Sequence, residues 1–155
     1  MYQREYPPES RERISILADQ ISDLKGYENK IVIKFQPGSG EIPINTSINE
    51  KINQDFLIDT GASFVTVPYS TVEALGLENK MSPHQQEVQT AGGPVLANAV
   101  TLSSIELQGW IISDVKALVI DIPNRPGIGL LGLNFLNRFN LDMQTDDGVL
   151  TLAPK

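Results

Sequence analysis

The hydrophobic pattern of the chain changes period near residue 30. Upstream, Ile14, Leu17, Ile21 and Leu24 recur at three- and four-residue steps. That spacing gathers them on one face and predicts an amphipathic helix, with Ser10 placed to cap its start and Gly26 to end it. From Lys30 onward the period is two. "KIVIKFQ" alternates and is β-branched, and "EIPINTSINEKINQDFLID" alternates again around a turn at Asn49-Glu50-Lys51. "VPYSTVEALGL" predicts a short helix closed at Gly76. "QEVQTAGGPVLANAVTL" predicts a hairpin tipped by Gly92-Gly93, and "SSIELQGWIISDVKALVID" two further strands about Gln108-Gly109. "PNRPGIG" is a loop and "LLGLNFLNRF" a short apolar helix, with Leu130-Leu131-Gly132 also readable as a buried strand leading into it. "NLDMQTDDGVLTLAPK" is a closing hairpin turned at Asp147-Gly148. The expected organisation is an N-terminal extension over residues 1–28 and a mainly β domain over 29–155.

Composition narrows the chemistry. The chain has 155 residues and no cysteine, which excludes disulfides, zinc–thiolate sites and thiol nucleophiles. One histidine, His84, excludes any mechanism that needs two; in "SPHQQ" it reads as a solvated loop residue. A net charge of −7 argues against nucleic acid as a partner, because phosphate binding wants a basic face. No run approaches the 18 apolar residues of a membrane span.

One stretch then stands out. "DFLIDTGASFVTVP" is an apolar strand that ends on a carboxylate, Asp59, followed by Thr60 and Gly61. A carboxylate at the tip of a buried strand is costly without donors or a partner. Gly61 permits a tight turn that brings N–H groups to it, and Thr60 offers a hydroxyl. Asp-Thr-Gly taken alone is equally a capping or turn sequence. Ser63 has no histidine or lysine at motif spacing, so a serine nucleophile is poorly supported. "DMQTDDG" lacks the spacing of a calcium loop and reads as a turn. No metal site is expected. Trp110 reads as core or dimer surface, and Asn45-Thr46-Ser47 carries no weight as a glycosylation pattern.

Three ordered blocks extend the motif. "FLIDTGASFVTVP", "TAGGPVLANAV" and "LLGLNFLNRFNLDMQTDDGVLTLAP" together resemble the retropepsin-like aspartic proteases, especially bacterial single-domain members, over roughly residues 41–154. The resemblance implies one half of an acid-protease-type closed β-barrel with short helices, beside an extra N-terminal helix. It implies Asp59 as the catalytic carboxylate, with Thr60, Gly61 and Ala62 supporting its loop. Ala91, Gly92, Gly93 and Pro94 would form the tip of a substrate-binding flap, and Leu131, Gly132 and Asn134 would back the catalytic loop. The flap tip carries no aromatic residue, unlike pepsin-type flaps, and Asn134 stands where many relatives carry aspartate. Ala62 replaces a Ser or Thr that would donate to the carboxylate, so a less acidic working pH than that of pepsin-like enzymes is expected, with no optimum below about pH 3.

The chemistry of that family needs two carboxylates sharing one proton and one water. The sequence holds a single Asp-Thr-Gly; Asp121, Asp142 and Asp146-Asp147-Gly148 do not match it. A two-fold homodimer supplies the second Asp59. The expected function is therefore an aspartic endopeptidase active as a homodimer on peptide or protein substrates, without cofactor. The alternative is a catalytically weak dimerisation or peptide-binding module; an adaptor acting through the N-terminal helix is a third reading. The N-terminal segment is open between a stalk, a pro-piece and a packing element. Localisation leans periplasmic or extracytoplasmic, with membrane contact only through a tether upstream of this chain, against a cytoplasmic alternative.

Overall fold

In the computed structural model, residues 29–155 other than Ala91 are described. The expected helix between Ser10 and Gly26 lies outside them. Residues Ile31–Lys155 form one compact unit. Among the described residues, no helix is long and apolar enough to cross a membrane.

Six strands close a barrel in the order β2-β3-β9-β4-β8-β7. They are β2 (Pro43–Ile48), β3 (Ile52–Ile58), β4 (Val65–Val67), β7 (Ala99–Leu107), β8 (Trp110–Val119) and β9 (Ile128–Leu131). Its interior is filled by the inward half of each alternating strand, including Ile48, Phe56, Val65, Leu102, Ile105, Val115 and Leu131, each at most 1% exposed. A three-stranded sheet, β1 (Ile31–Lys34), β11 (Val149–Pro154) and β10 (Phe139–Gln144), in that order, lies beside the barrel. A separate two-stranded hairpin, β5 (Gln86–Thr90) and β6 (Gly93–Ala97), completes the β structure. The helices are α1 (Tyr69–Leu75), ended by Gly76 in the left-handed conformation as expected, and α2 (Leu133–Leu136).

Two elements differ from the sequence reading. "LLGLNFLNRF" is not helical throughout: Leu130 and Leu131 belong to β9, in keeping with the reading of Leu130-Leu131-Gly132 as a buried strand leading into a helix, and only Leu133–Leu136 are α-helical. Apolar runs of this length do not separate buried strand from buried helix by period, and here parallel pairing with β3 decides for strand. The expected glycine-tipped hairpin also ends sooner. It stops at Ala97, and residues from Ala99 onward form the barrel strand β7, which runs on to Leu107. The break is at Asn98, whose side-chain amide donates to the Ser82 carbonyl at 2.8 Å.

The turn between the two longest strands is tight. Gln108 and Gly109 join β7 to β8 with φ of 50° and 84°. Gln108 tolerates the left-handed region because its side chain is tied to β1. Its amide nitrogen donates to the Val32 carbonyl at 2.6 Å and its oxygen accepts the Val32 N–H at 3.2 Å. The side chain thus stands where another strand would pair, and caps the outer edge of β1.

Candidate active site

Asp59 follows the last residue of β3, and its position is set by β9. The two strands run parallel with Phe56 opposite Gly129 and Ile58 opposite Leu131. The Asp59 N–H donates to the Leu131 carbonyl at 3.0 Å. On its other side β9 pairs with β4, Leu130 opposite Thr66. The chain therefore leaves β9's one flank at Ile58, arches over its end as residues 59–64, and returns on the other flank as β4. Glycine makes this possible. A Cβ on Gly129 would stand 2.4 Å from the Thr66 carbonyl oxygen and 2.7 Å from the Phe56 ring. One on Gly132 would stand 2.4 Å from the Phe64 carbonyl oxygen and 2.7 Å from that of Ala62. Neither space accepts a methyl group.

Hydrogen bonds hold the arch at Asp59, Gly61, Ala62 and Ser63. The Ala62 N–H donates to the Asp59 carbonyl at 3.2 Å, closing the turn. The Gly61 N–H donates to Asp59 Oδ1 at 2.9 Å. The N–H groups of Leu133 and Asn134, at the start of α2, donate to the carbonyls of Ala62 and Ser63 at 2.8 and 3.1 Å. Asn134 adds two side-chain bonds: Oδ1 accepts the N–H of the fully buried Val65 at 2.8 Å, and Nδ2 donates to the Lys116 carbonyl at 2.8 Å. An aspartate there would serve Val65 but would face the Lys116 carbonyl with an acceptor. Asparagine suits both partners.

Asp59 is half-buried and Thr60 is exposed. The strand's end, Leu57-Ile58, is also only half-buried. The desolvation expected for Asp59 is thus partial in the single chain. Both residues open onto a cavity of about 510 Å³, whose walls include Glu41, Ile42, Met143 and Thr145. Glu41 is held by Arg125, Nη1 to Oε2 at 2.6 Å. That hydrogen bond first, and the guanidinium charge second, keep the Glu41 carboxyl below its ordinary value.

Of the residues singled out by sequence, Asp59, Thr60, Gly61, Ala62, Leu131, Gly132 and Asn134 are brought together in one bonded unit. Gly92, Gly93 and Pro94 sit at the far end of the β5–β6 hairpin; Ala91 is not among the described residues. Among the described residues, the hairpin tip makes no hydrogen bond to the Asp59 loop and does not line its cavity. Sequence reasoning missed Gly129, Glu41 and Met143. The first left a signal: a glycine inside an apolar strand run marks close backbone approach. No group of three metal-ligating side chains occurs among the described residues.

A family model described as aspartyl protease matches residues 44–135, from β2 to within α2. The chain belongs to the aspartyl protease family. The structure is similar to the crystal structure of a retropepsin-like aspartic protease from Rickettsia conorii, with a TM-score of 0.63 and 27% sequence identity, covering 79% of this chain and 89% of that one. It is also similar to the retroviral protease-like domain of Ddi1 from Leishmania major, with a TM-score of 0.54 and 19% identity, covering 74% and 92%; at that identity the likeness is one of fold. Nothing matches among curated proteins. The mainly β architecture with its closed barrel is thus that of a retropepsin-like aspartyl protease fold.

Proposed function

We propose that this aspartyl protease family member is an endopeptidase, active as a two-fold homodimer, that hydrolyses peptide bonds with a water held between two Asp59 carboxylates. The observation that carries the reading is the Asp59 loop itself. One Asp-Thr-Gly per chain is held by bonds at Asp59 and Gly61, and Asp59 and Thr60 line an open cavity. Two carboxylates brought together across an axis cannot both ionise, so the pair titrates as a unit and is singly protonated over a window of pH. The ionised member takes a proton from the water as it attacks the scissile carbonyl carbon. The protonated member donates to the carbonyl oxygen; the member that took the water's proton then delivers it to the amide nitrogen, the other takes one hydroxyl proton back, and the C–N bond breaks to release the amine and the acid. In this reading the Thr60 hydroxyl reaches the partner's loop. The β5–β6 hairpin supplies main-chain groups to an extended peptide and closes over it.

The sheet beside the barrel supports the dimer. One of its edges, β1, is capped by the Gln108 amide. The other, β10, has no neighbouring strand among the described residues, and Leu141 and Met143 on it are 38% and 40% exposed. An apolar edge strand is a template for pairing with another chain. Met143 also lines the Asp59 cavity, so a second copy pairing along β10 enters the site from that side.

The test compares wild type with Asp59→Asn on a peptide library while mass is followed by sedimentation. The reading expects cleavage by wild type, none by the variant, and dimers of both. Equal cleavage by both proteins, or full activity in a strict monomer, contradicts it. Dimers that bind peptides without cleaving them identify the binding-module alternative.

A further inference from the structure

A second cavity, of about 260 Å³, has walls that include Lys80, Ser82, Thr101 and Lys116. It is basic in a chain of net charge −7. Among the described residues the ion pair found is between Arg125 and Glu41, and neither lysine has a carboxylate partner. Thr101 and Lys116 stand directly opposite each other on β7 and β8. Lys80 ends the 3-10 turn Glu78–Lys80.

The cavity's two ends tie it to the candidate active site. At one end, Lys116 Nζ lies 4.8 Å from the centre of the Phe64 ring. Phe64 is the last residue of the arch that begins at Asp59. At the other end is the root of the β5–β6 hairpin. The Ser82 N–H donates to the Ala99 carbonyl at 2.7 Å, its hydroxyl accepts the Ala99 N–H at 2.8 Å and donates to the His84 carbonyl at 2.9 Å, and its carbonyl accepts from Asn98. The Ser82 wall is therefore rigid. In the endopeptidase reading, a peptide that extends beyond the cleft past Phe64 and the hairpin root would meet this cavity.

We propose that this cavity is a distal substrate subsite that selects an acidic side chain, glutamate or aspartate, away from the scissile bond. The inference rests on the endopeptidase reading above and adds a specificity to it. Two ammonium groups that line the cavity attract a carboxylate, and the Phe64 face holds that of Lys116 by a cation–π contact. Exposed charge pairs are weak and salt-sensitive, so the subsite biases the choice of peptide and does not decide cleavage alone.

The test uses peptides identical except for one glutamate or glutamine walked along the sequence. At one position outside the scissile pair, kcat/KM for glutamate exceeds that for glutamine by about five-fold at low salt, and the preference shrinks at high salt. The ratio falls to about one in the double variant Lys80→Gln/Lys116→Gln, and the double variant Lys80→Glu/Lys116→Glu prefers lysine at that position. A uniform response at every position, or a preference that survives both double variants, overturns the subsite while leaving the protease reading intact. A wild type that cleaves no peptide contradicts the protease reading. The subsite is then judged on Asp59→Asn protein by amide chemical shifts: movement at Ser82 and Thr101 with the glutamate peptide but not the glutamine peptide supports it, and movement with neither overturns it.

Discussion

The arch at Asp59 and the β5–β6 hairpin form two sides of one cleft in the proposed enzyme, and they are held in opposite ways. The arch is gripped from below by β9, from the side by α2 and from within by Gly61, with two glycines removing the room for any other path. The hairpin has its own ladder, a root bonded through Ser82 and Asn98, and a tip that, among the described residues, bonds only to itself: the Thr90 hydroxyl donates to the Gly93 carbonyl at 2.6 Å and accepts the Gly92 N–H at 3.2 Å. Reacting groups need positions held to fractions of an ångström, whereas a cover has to open. Low local stability belongs in the hairpin and would be ruinous in the arch.

The largest effect follows from filling the space under the arch. Gly132 has an ordinary backbone conformation, φ −97° and ψ −170°, so alanine meets no torsional objection there. Its methyl group would meet the Phe64 and Ala62 carbonyls. Gly132→Ala should lower stability by about 1–3 kcal/mol and, by shifting the loop, lower kcat/KM by about 100-fold or more. Denaturant melts and peptide kinetics check both. Wild-type activity in this variant breaks the contrast between a fixed floor and a free cover.

Asn134 tests the same floor one bond at a time. Asn134→Ala leaves the buried Val65 N–H without its acceptor, at a cost of about 1–3 kcal/mol. Asn134→Asp keeps that acceptor and loses the donor to Lys116, so its melting temperature should fall between those of wild type and the alanine variant.

On the hairpin the expectation inverts. Gly93 has φ of 108° and open space around it, so Gly93→Ala introduces backbone strain of about 1–3 kcal/mol and no clash. The tip can relieve that strain by opening locally while the barrel stays folded. kcat/KM should fall about ten-fold or less while the global melting temperature barely moves. Equal losses in melting temperature for Gly93→Ala and Gly132→Ala would erase the distinction.

The smallest effect concerns the rim. Arg125 holds Glu41 below its ordinary value, chiefly through their hydrogen bond. A carboxyl lowered in the folded state adds stability above its unfolded value, and that support fades as pH falls through the lowered one. Arg125→Gln should therefore melt slightly below wild type at about pH 7 and together with it at about pH 3. Both side chains are substantially exposed, at 40% and 47%, so the gap is small and closes with added salt.

Much of this arrangement was legible in the residues, for reasons that differ by position. Asp59-Thr60-Gly61 announced itself because a charge at the end of an apolar run demands an explanation, and the strand, turn and hairpin signals around it are local. Asp147-Gly148, Gly76 and Gln108-Gly109 turn or cap where their sequence says they should. What stayed hidden depends on pairs far apart in the chain. β9 looks like the start of a helix until β3 pairs with it. The bonds from Asn134 to Val65 and Lys116 span 69 and 18 residues, and those from Gln108 to Val32 span 76. No period or motif encodes such distances. The open β10 edge was equally invisible, because its exposure depends on which strands end up beside it.

The central claim is that two chains contribute one Asp59 each to a single site. The most direct measurement mixes wild type with Asp59→Asn at constant total protein, allows subunits to exchange, and follows peptide cleavage against the wild-type fraction. With freely exchanging dimers, activity should follow the square of that fraction, so an equal mixture retains about one quarter of wild-type activity. A linear response, with about half retained in the equal mixture, would mean that each chain works with its own Asp59 alone and would contradict the account.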